Sequence, residues 1–310
     1  MMKRYLDCTA SDLANITKHD LIHAIHASEG RVLVSETIGA TQPVLITVSN
    51  AEFAASQGAD ILVLNLFDVN NPVINGLPKG TVQNDYVRTI KHLTGRIVGI
   101  NLEPVDNNFV AGEEDEVWGG MTSGRLGTVD NAKKAIAMGV DFIILTGNPG
   151  NGVSNSAICN SLREINTAVG DRLMLVAGKM HASGILGEGA ENIITKHDIQ
   201  EFVTAGADVI LLPAPGTVPG ITMEYVRDMI VYAHSLGVIT MTAIGTSQEG
   251  ADESTIRQIA LMCKMSGTDL HHIGDSGYVG MALPENILAY SIAIRGKRHT
   301  YTRIASSINR

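Results

Sequence analysis

Apolar and polar positions along this chain fall into two alternating patterns, a short apolar run and a longer stretch with helical spacing. Eight apolar runs begin near residues 31, 60, 96, 141, 172, 208, 238 and 269. Four of them follow a Gly-x-Asp tripeptide, which starts at Gly58, Gly139, Gly206 and Gly267. Steps of 29 to 45 residues between onsets suit one strand, one helix and their loops. The pattern therefore predicts an α/β protein with parallel strands.

The regular repetition of eight such units favours a closed sheet over an open, doubly wound one. We therefore predict a single (β/α)8 barrel domain over residues 1–310. Residues 1–30 are expected to form a helical extension that closes the bottom of the barrel or joins a dimer contact. Residues 296–310 are expected to be a basic C-terminal tail at the surface or at a subunit contact.

Two connections are hard to place from the pattern alone. The first strand is expected near 31–36, but residues 43–48 are also strand-like. They either extend the first unit or form an excursion from the barrel. The longest connection, 104–129, holds an acidic run and Trp118. A connection of this length is typically functional, and its position predicts a lid over the mouth of the barrel.

Composition and charge narrow the class of partner. Hydrophobic residues make up 45% of the chain, which suits a full core, and the net charge is −9. A negative surface disfavours nucleic acid and anionic membranes as partners, whereas local loop dipoles can still hold a small anionic metabolite. The N-terminus has no signal-peptide pattern and the three cysteines form no CxxC pair. We expect a cytoplasmic protein and, from its extra helix and basic tail, a homo-oligomer.

Polar residues follow most of the apolar runs, and in a parallel barrel these positions converge on one rim. Lys179 follows a buried-type strand directly after Ala177-Gly178. Apolar surroundings disfavour the charged amine, so Lys179 is a candidate to form a Schiff base or to hold a carbonyl oxygen. His181 is a candidate acid or base. His271 and His272 alternate on the last strand, so one of them faces the interior and the other faces the helices.

Glu36, Asp68 and Glu103 end three consecutive predicted strands. One of them could act as a general base, with Glu36 and Glu103 as the catalytic candidates. Alternatively, Asp68 and Glu103 could be the ligands of a Mg²⁺ cofactor, since Mg²⁺ binds carboxylate oxygens.

The loops after the last two strands are rich in glycine and hydroxyl residues, which is typical of a phosphate cradle. Glu249 and Asp275 would repel phosphate if they pointed inward. The predicted substrate- or phosphate-binding residues in these two loops are Gly245, Thr246, Ser247, Gly274, Ser276 and Gly277. Four more come from the ends of earlier strands, namely Asn65, Asn101, Thr146 and Asn148.

With these features the chain resembles the TIM-barrel superfamily, and its last two loops resemble those of phosphate-binding barrels. That resemblance implies aldolase, epimerase or isomerase chemistry. The carboxylates after the early strands are similar to those of the phosphoenolpyruvate mutase and isocitrate lyase group, which implies Mg²⁺ and an enolate. The catalytic-cysteine loop of that group is not found here.

Three functions are compatible with the sequence. The first is a lyase, aldolase or isomerase that acts beside a carbonyl or enolate in a small phosphorylated or carboxylated metabolite. The second is a Mg²⁺-dependent lyase or mutase. The third is a non-catalytic barrel that binds a metabolite or assembles with partners.

Overall fold

The computed structural model describes residues 3–106, 121–147, 152–181, 187 and 189–310. Eight parallel strands close into a barrel in sequence order, with the last strand paired to the first. The (β/α)8 prediction is confirmed. The strands are β1 (Val32–Ile38), β2 (Ile61–Asn65), β3 (Ile97–Leu102), β4 (Phe142–Leu145), β5 (Met174–Gly178), β6 (Val209–Pro213), β7 (Ile239–Ile244) and β8 (Leu270–Ile273).

Two short helices precede the barrel, and a helix follows each strand. Their bounds are α1 (Ala10–Ala14), α2 (Lys18–His26), α3 (Asn50–Ser56), α4 (Tyr86–Thr94), α5 (Val129–Met138), α6 (Asn155–Val169), α7 (Lys196–Ala205), α8 (Met223–Ser235), α9 (Glu253–Ser266) and α10 (Pro284–Ala305). None of these helices is long and apolar enough to cross a membrane.

The Gly-x-Asp joints have a structural role at the N-terminal ends of the even-numbered strands. The glycine takes a left-handed conformation just past the helix, for example at Gly139 with φ 95°, where a side chain would be strained. The aspartate then accepts the backbone N–H of the second residue of the preceding strand at 2.8–2.9 Å. The pairs are Asp60 with Leu33, Asp141 with Val98, Asp208 with Leu175 and Asp269 with Thr240.

The barrel interior is filled by alternate residues of each strand, as parallel-barrel geometry requires. Phe142 occupies the space in front of Gly99, where a Cβ atom would lie 2.4 Å from its ring. Residues of the N-terminal extension, including Tyr5, Leu13 and Ile25, belong to the same buried cluster. The extension therefore closes the bottom of the barrel.

The C-terminal segment differs from the expected surface tail. Helix α10 continues to Ala305 across a kink at Gly296, where φ is 74°. Arg295 and Arg303 are buried, and both form ion pairs with the fully buried Asp60. The expectation of a surface tail therefore fails for Arg303, because the carboxylate beneath the barrel holds this end of the chain.

The first βα connection is also settled by the structure. Strand β1 runs on to Ile38, and residues 43–48 form a loop, exposed at 44–47, rather than a strand. Ile46 is 71% exposed and has φ 59°, a left-handed conformation that is strained for a β-branched residue. Most of the predicted lid, residues 107–120, lies outside the described residues.

Candidate functional site

A cavity of about 240 Å³ opens at the C-terminal mouth of the barrel. Many of the residues predicted at strand ends line it, so the expected convergence of polar side chains is present. The predicted residues in its wall are Glu36, Asn65, Asn101, Glu103, Thr146, His181 and Gly277, joined by Ile38, Leu66, Arg125, Gly147, Met180 and Asp275.

Side-chain alternation along the strands explains why these particular residues meet. Val32 and Val34 face the barrel interior, so Glu36 faces it one step further along β1. The same alternation brings Asn65 to the interior on β2 and Asn101 to the interior on β3. The last inward position of each early strand thus contributes a polar group to one cavity wall.

These polar groups form a continuous hydrogen-bonded arc. Asn101 Nδ2 donates to Glu36 Oε1 at 2.8 Å and to Asn65 Oδ1 at 3.0 Å. Asn65 Nδ2 donates to Asp275 Oδ2 at 2.7 Å, and the backbone N–H of Gly277 donates to Asp275 Oδ1 at 2.8 Å. Because each amide has its orientation fixed by its partners, the arc is a preorganised wall.

His272 completes the arc, and the sequence prediction did not include it. Its Nε2 lies 3.0 Å from Glu36 Oε2, and both side chains are buried. His271 instead faces the helices, with its ring nitrogens near the backbone oxygen of Gly30 and the hydroxyl of Tyr290. Burial lowers the pKa of His271 to about 3. Alternation from Leu270, which belongs to the interior cluster, would have identified His272 as the inward residue.

Lys179 directly follows β5 and is 1% exposed. A Cβ atom at the preceding Gly178 would lie 2.0 Å from the backbone oxygen of Leu211, so glycine allows the close approach of β5 to β6 at this point. Two residues after the lysine, His181 lines the cavity. Burial lowers the pKa of His181, with Glu36 opposing and Lys179 reinforcing this shift. His181 is therefore a neutral imidazole near neutral pH.

Glu103 lies on the cavity wall but is engaged by a cation. Its Oε1 lies 2.5 Å from Arg125 Nη2, and the backbone N–H of Glu103 donates to the Arg125 oxygen at 2.8 Å. Both side chains are largely buried. The pair places a guanidinium and a carboxylate side by side at the end of β3, two residues beyond Asn101 of the arc.

Asp68 does not line the described cavity. Strand β2 ends at Asn65, and Asp68 Oδ1 instead accepts the backbone N–H groups of Asn70 and Asn71 at 2.7 and 3.0 Å. Burial alone would raise the pKa of Asp68, but its hydrogen bonds outweigh that effect and lower it. Within the described ranges, no group of three His, Cys, Asp or Glu side chains is arranged to hold a metal ion. Of the predicted Mg²⁺ pair, Glu103 lines the cavity and Asp68 does not.

The loops after β7 and β8 engage much of their own hydrogen-bonding capacity. The N–H of Gly274 donates to the Ile244 oxygen at 2.8 Å, and Thr246 Oγ1 lies 2.6 Å from the Thr217 oxygen. Of the six residues predicted here, Gly277 lines the cavity, while Gly245, Thr246, Ser247, Gly274 and Ser276 are not among its described lining residues. Asn148 lies outside the described residues.

Two acidic side chains of these loops have raised pKa values. Burial raises the pKa of Asp275 to about 7, and the nearby charge of Glu36 adds to this effect. Burial also raises the pKa of Glu249, whose residue is 6% exposed. Asp275 and Glu249 therefore share one poorly solvated region with Glu36, and this favours the protonated forms of Asp275 and Glu249.

Solved structures similar to this chain confirm its architecture. An archaeal fructose-1,6-bisphosphate aldolase, with its catalytic Lys covalently bound to the carbinolamine intermediate, matches at 13% identity and a TM-score of 0.54, over 87% of this chain and 96% of that one. A Burkholderia cenocepacia J2315 protein with a provisional lyase/mutase assignment matches at 16% identity and a TM-score of 0.50, over 96% of both chains.

The carboxyl transferase domain of Rhizobium etli pyruvate carboxylase gives a further match. Its identity is 12% and its TM-score 0.54, over 96% of this chain and 51% of that one. At such identities these likenesses show the (β/α)8 fold, which lyases, aldolases and transferases share.

Sequence comparison gives one assignment. None of the curated proteins matches the chain. The model of the family described as "Domain of unknown function (DUF7916)" matches residues 6–310, nearly the whole chain. The chain belongs to this DUF7916 family.

Proposed function

We propose that this protein is an enzyme of the lyase, aldolase or isomerase type that acts beside the carbonyl group or enolate of a small carboxylated metabolite. The observation that carries the proposal is the buried Lys179, which directly follows β5 and acts electrostatically on His181, a residue of the cavity wall. Active sites of this fold lie at the same end of the barrel. A likeness in fold to the archaeal aldolase adds only that the architecture accommodates lysine chemistry.

The chemistry proposed for Lys179 is imine formation. The amine of Lys179 adds to the carbonyl carbon of the substrate after losing a proton to solvent, and the resulting carbinolamine takes up a proton and loses water to give a protonated imine. The imine nitrogen then accepts the electron pair released when an adjacent C–H or C–C bond breaks. Neutral His181 can take up the proton that leaves, and hydrolysis of the imine returns the free amine.

The remaining polar groups have supporting roles in this proposal. Glu36 is held by His272 and Asn101, so it can stabilise positive charge on the imine or move a proton. Glu103 is bound to Arg125 and is the less suitable base. Because Arg125 presents a forked array of donors, it can share them between Glu103 and a substrate carboxylate.

Borohydride trapping tests the proposal. The protein would be incubated with a panel of 2-oxo acids and reduced, and the modified peptide would be identified by mass spectrometry. We expect a substrate-derived adduct on Lys179 that is absent from Lys179→Arg and retained in Lys91→Arg, a matched change at the other end of the barrel. Binding of a 2-oxo acid without any Lys179 adduct would contradict the imine step. Stabilisation by Mg²⁺ that disappears in Glu103→Gln would favour the metal-dependent alternative instead.

A further inference from the structure

The cavity wall formed by Asn101, Asn65 and Asp275 is rich in hydrogen-bond acceptors. Both hydrogens of Asn101 Nδ2 are used, one by Glu36 and one by Asn65. This fixes the Asn101 amide, and its Oδ1 is buried and has no hydrogen-bond partner among the described residues. Since a buried carbonyl oxygen is costly when unpaired, this atom calls for a donor from a ligand or a water.

A second buried acceptor lies near the same region. Glu249 Oε2 is buried and also has no hydrogen-bond partner in the described part of the chain. The Glu249 carboxyl carbon lies 3.6 Å from the position that a Cβ atom would take at Gly274. The carboxyl group therefore occupies the space between the β7 and β8 loops.

Two backbone amides of these loops are already engaged. Gly274 N–H donates to Ile244 and Gly277 N–H donates to Asp275. A phosphate cradle needs such amides free to point at the anion. Here the Glu249 carboxyl group lies where a phosphate would lie between these loops. The Asp275 carboxyl group accepts the hydrogen bond of the Gly277 N–H.

We propose that the part of the substrate lying against Asn101, Asp275 and the β8 loop carries hydroxyl groups and no phosphate. The inference rests on the proposed function, since it names the substrate class of the same cavity. Hydroxyl groups can donate to Asn101 Oδ1 and to carboxylate oxygens, and they can accept from a protonated carboxyl group. A phosphate dianion would instead meet two acidic side chains across a poorly solvated gap. The substrate class is thus a polyhydroxylated 2-oxo acid.

Three probes that share one reacting end test this proposal. They are 2-oxopentanoate, 4,5-dihydroxy-2-oxopentanoate and the 5-phosphate of the latter, each titrated by calorimetry and trapped with borohydride. We expect the dihydroxy acid to bind roughly 10- to 100-fold more tightly than the unsubstituted acid, as for hydrogen bonds to charged groups. The 5-phosphate should bind more weakly than the dihydroxy acid.

The variants Asp275→Asn and Asp130→Asn provide the comparison. Asp130 is exposed on α5 and should leave all three affinities unchanged. Asp275→Asn should reduce the discrimination against the 5-phosphate at least several-fold. The proposed substrate class is overturned if the two unphosphorylated acids bind equally or if the 5-phosphate binds most tightly. The proposed lysine chemistry would still stand in that case, provided that borohydride traps an adduct on Lys179.

Inorganic phosphate gives a measurement that does not depend on lysine chemistry. Thermal unfolding would be followed with phosphate and with sodium chloride at equal ionic strength. We expect the double variant Glu249→Gln/Asp275→Asn to be stabilised by phosphate more than the wild type is. If the wild type gains as much as the double variant or more, the loops accept phosphate and the proposal is overturned, even if none of the oxo acids binds.

Discussion

Replacing Asp60 by asparagine should be among the most damaging isosteric changes in the described barrel. Asp60 and Arg295 are fully buried, and Arg303 is 5% exposed. Asparagine keeps the shape and an acceptor for the Leu33 N–H but removes the charge that both guanidinium groups face. Burial lowers the pKa of Arg295, and Asp60 opposes this shift. Without the carboxylate, two cations lie together in a desolvated region.

The expected cost follows from that geometry. Removing one partner of a buried ion pair typically costs about 3–5 kcal/mol, because the remaining charge is left uncompensated. A domain is commonly stable by about 5–15 kcal/mol, so Asp60→Asn should still fold but unfold at a clearly lower urea concentration. Urea unfolding followed by far- and near-ultraviolet circular dichroism measures the difference, provided that the slope with denaturant is unchanged.

Asp141→Asn is the matched control, since Asp141 occupies the corresponding joint before β4. Its side chain and that of Lys91 are 20% and 22% exposed, so solvent screens the pair. Burial raises the pKa of Asp141, and Lys91 opposes this shift. We expect a loss below about 1 kcal/mol. Equal losses in the two variants, or a loss below about 1 kcal/mol for Asp60→Asn, would refute the reasoning.

Three further changes test other features. Gly99→Ala places a Cβ atom 2.4 Å from the Phe142 ring, so the free energy of urea unfolding should fall by about 1–3 kcal/mol. An equal loss in a Phe142→Leu background would exclude this clash as the cause. The hydrogen bond to Asp269 raises the pKa of His234 above its ordinary value of 6.5. Protonated His234 therefore stabilises the folded protein fully below pH 6.5, and this contribution is lost as the pH rises through the pKa of His234 in the folded state. The Tm of the wild type should therefore fall across this window relative to that of His234→Gln, and parallel pH profiles would argue against it. Ile46→Gly should raise stability by up to about 1 kcal/mol, because it relieves a left-handed conformation at φ 59°, and a lower Tm would count against strain there.

Much of the fold could be predicted because strand and helix periodicities are strong in this chain. The Gly-x-Asp joints mark the helix ends and the strand starts for a physical reason, namely a left-handed glycine followed by a carboxylate that caps the neighbouring strand. Each predicted strand overlaps the observed one. The resulting polar rim follows directly from the fold, which is why Glu36, Asn101 and His181 meet at one cavity.

The remaining site residues depended on details that periodicity does not contain. Asp68 follows the end of β2 by three residues, which is enough for its carboxylate to cap a turn instead of facing the cavity. Predicting His272 as a site residue requires knowing which face of β8 points into the barrel, and the sequence of β8 alone does not show this. Glu249 is brought into the gap between two loops by a short 3-10 turn at Gln248–Gly250, and such a turn has no strong sequence signal.

Two segments were hard to predict because tertiary contacts outweigh local preference. Residues 43–48 are apolar enough for a strand, yet β1 already pairs with β2 up to Ile38, and the following residues leave the sheet. The C-terminal segment is polar, and Arg303 is buried because Asp60 and the backbone oxygens of Tyr5 and Cys8 bind its guanidinium group.

The aspartates that anchor neighbouring strands and the side chains that surround the cavity lie at opposite poles of the molecule. The strands are held at their N-terminal ends by Asp60, Asp141, Asp208 and Asp269, whereas the mouth is built from strand C-termini and loops that these contacts do not reach. Evolution or an engineer could therefore exchange mouth loops for new specificity while the foundation stays intact. The stability of this barrel and its substrate specificity can therefore be changed independently.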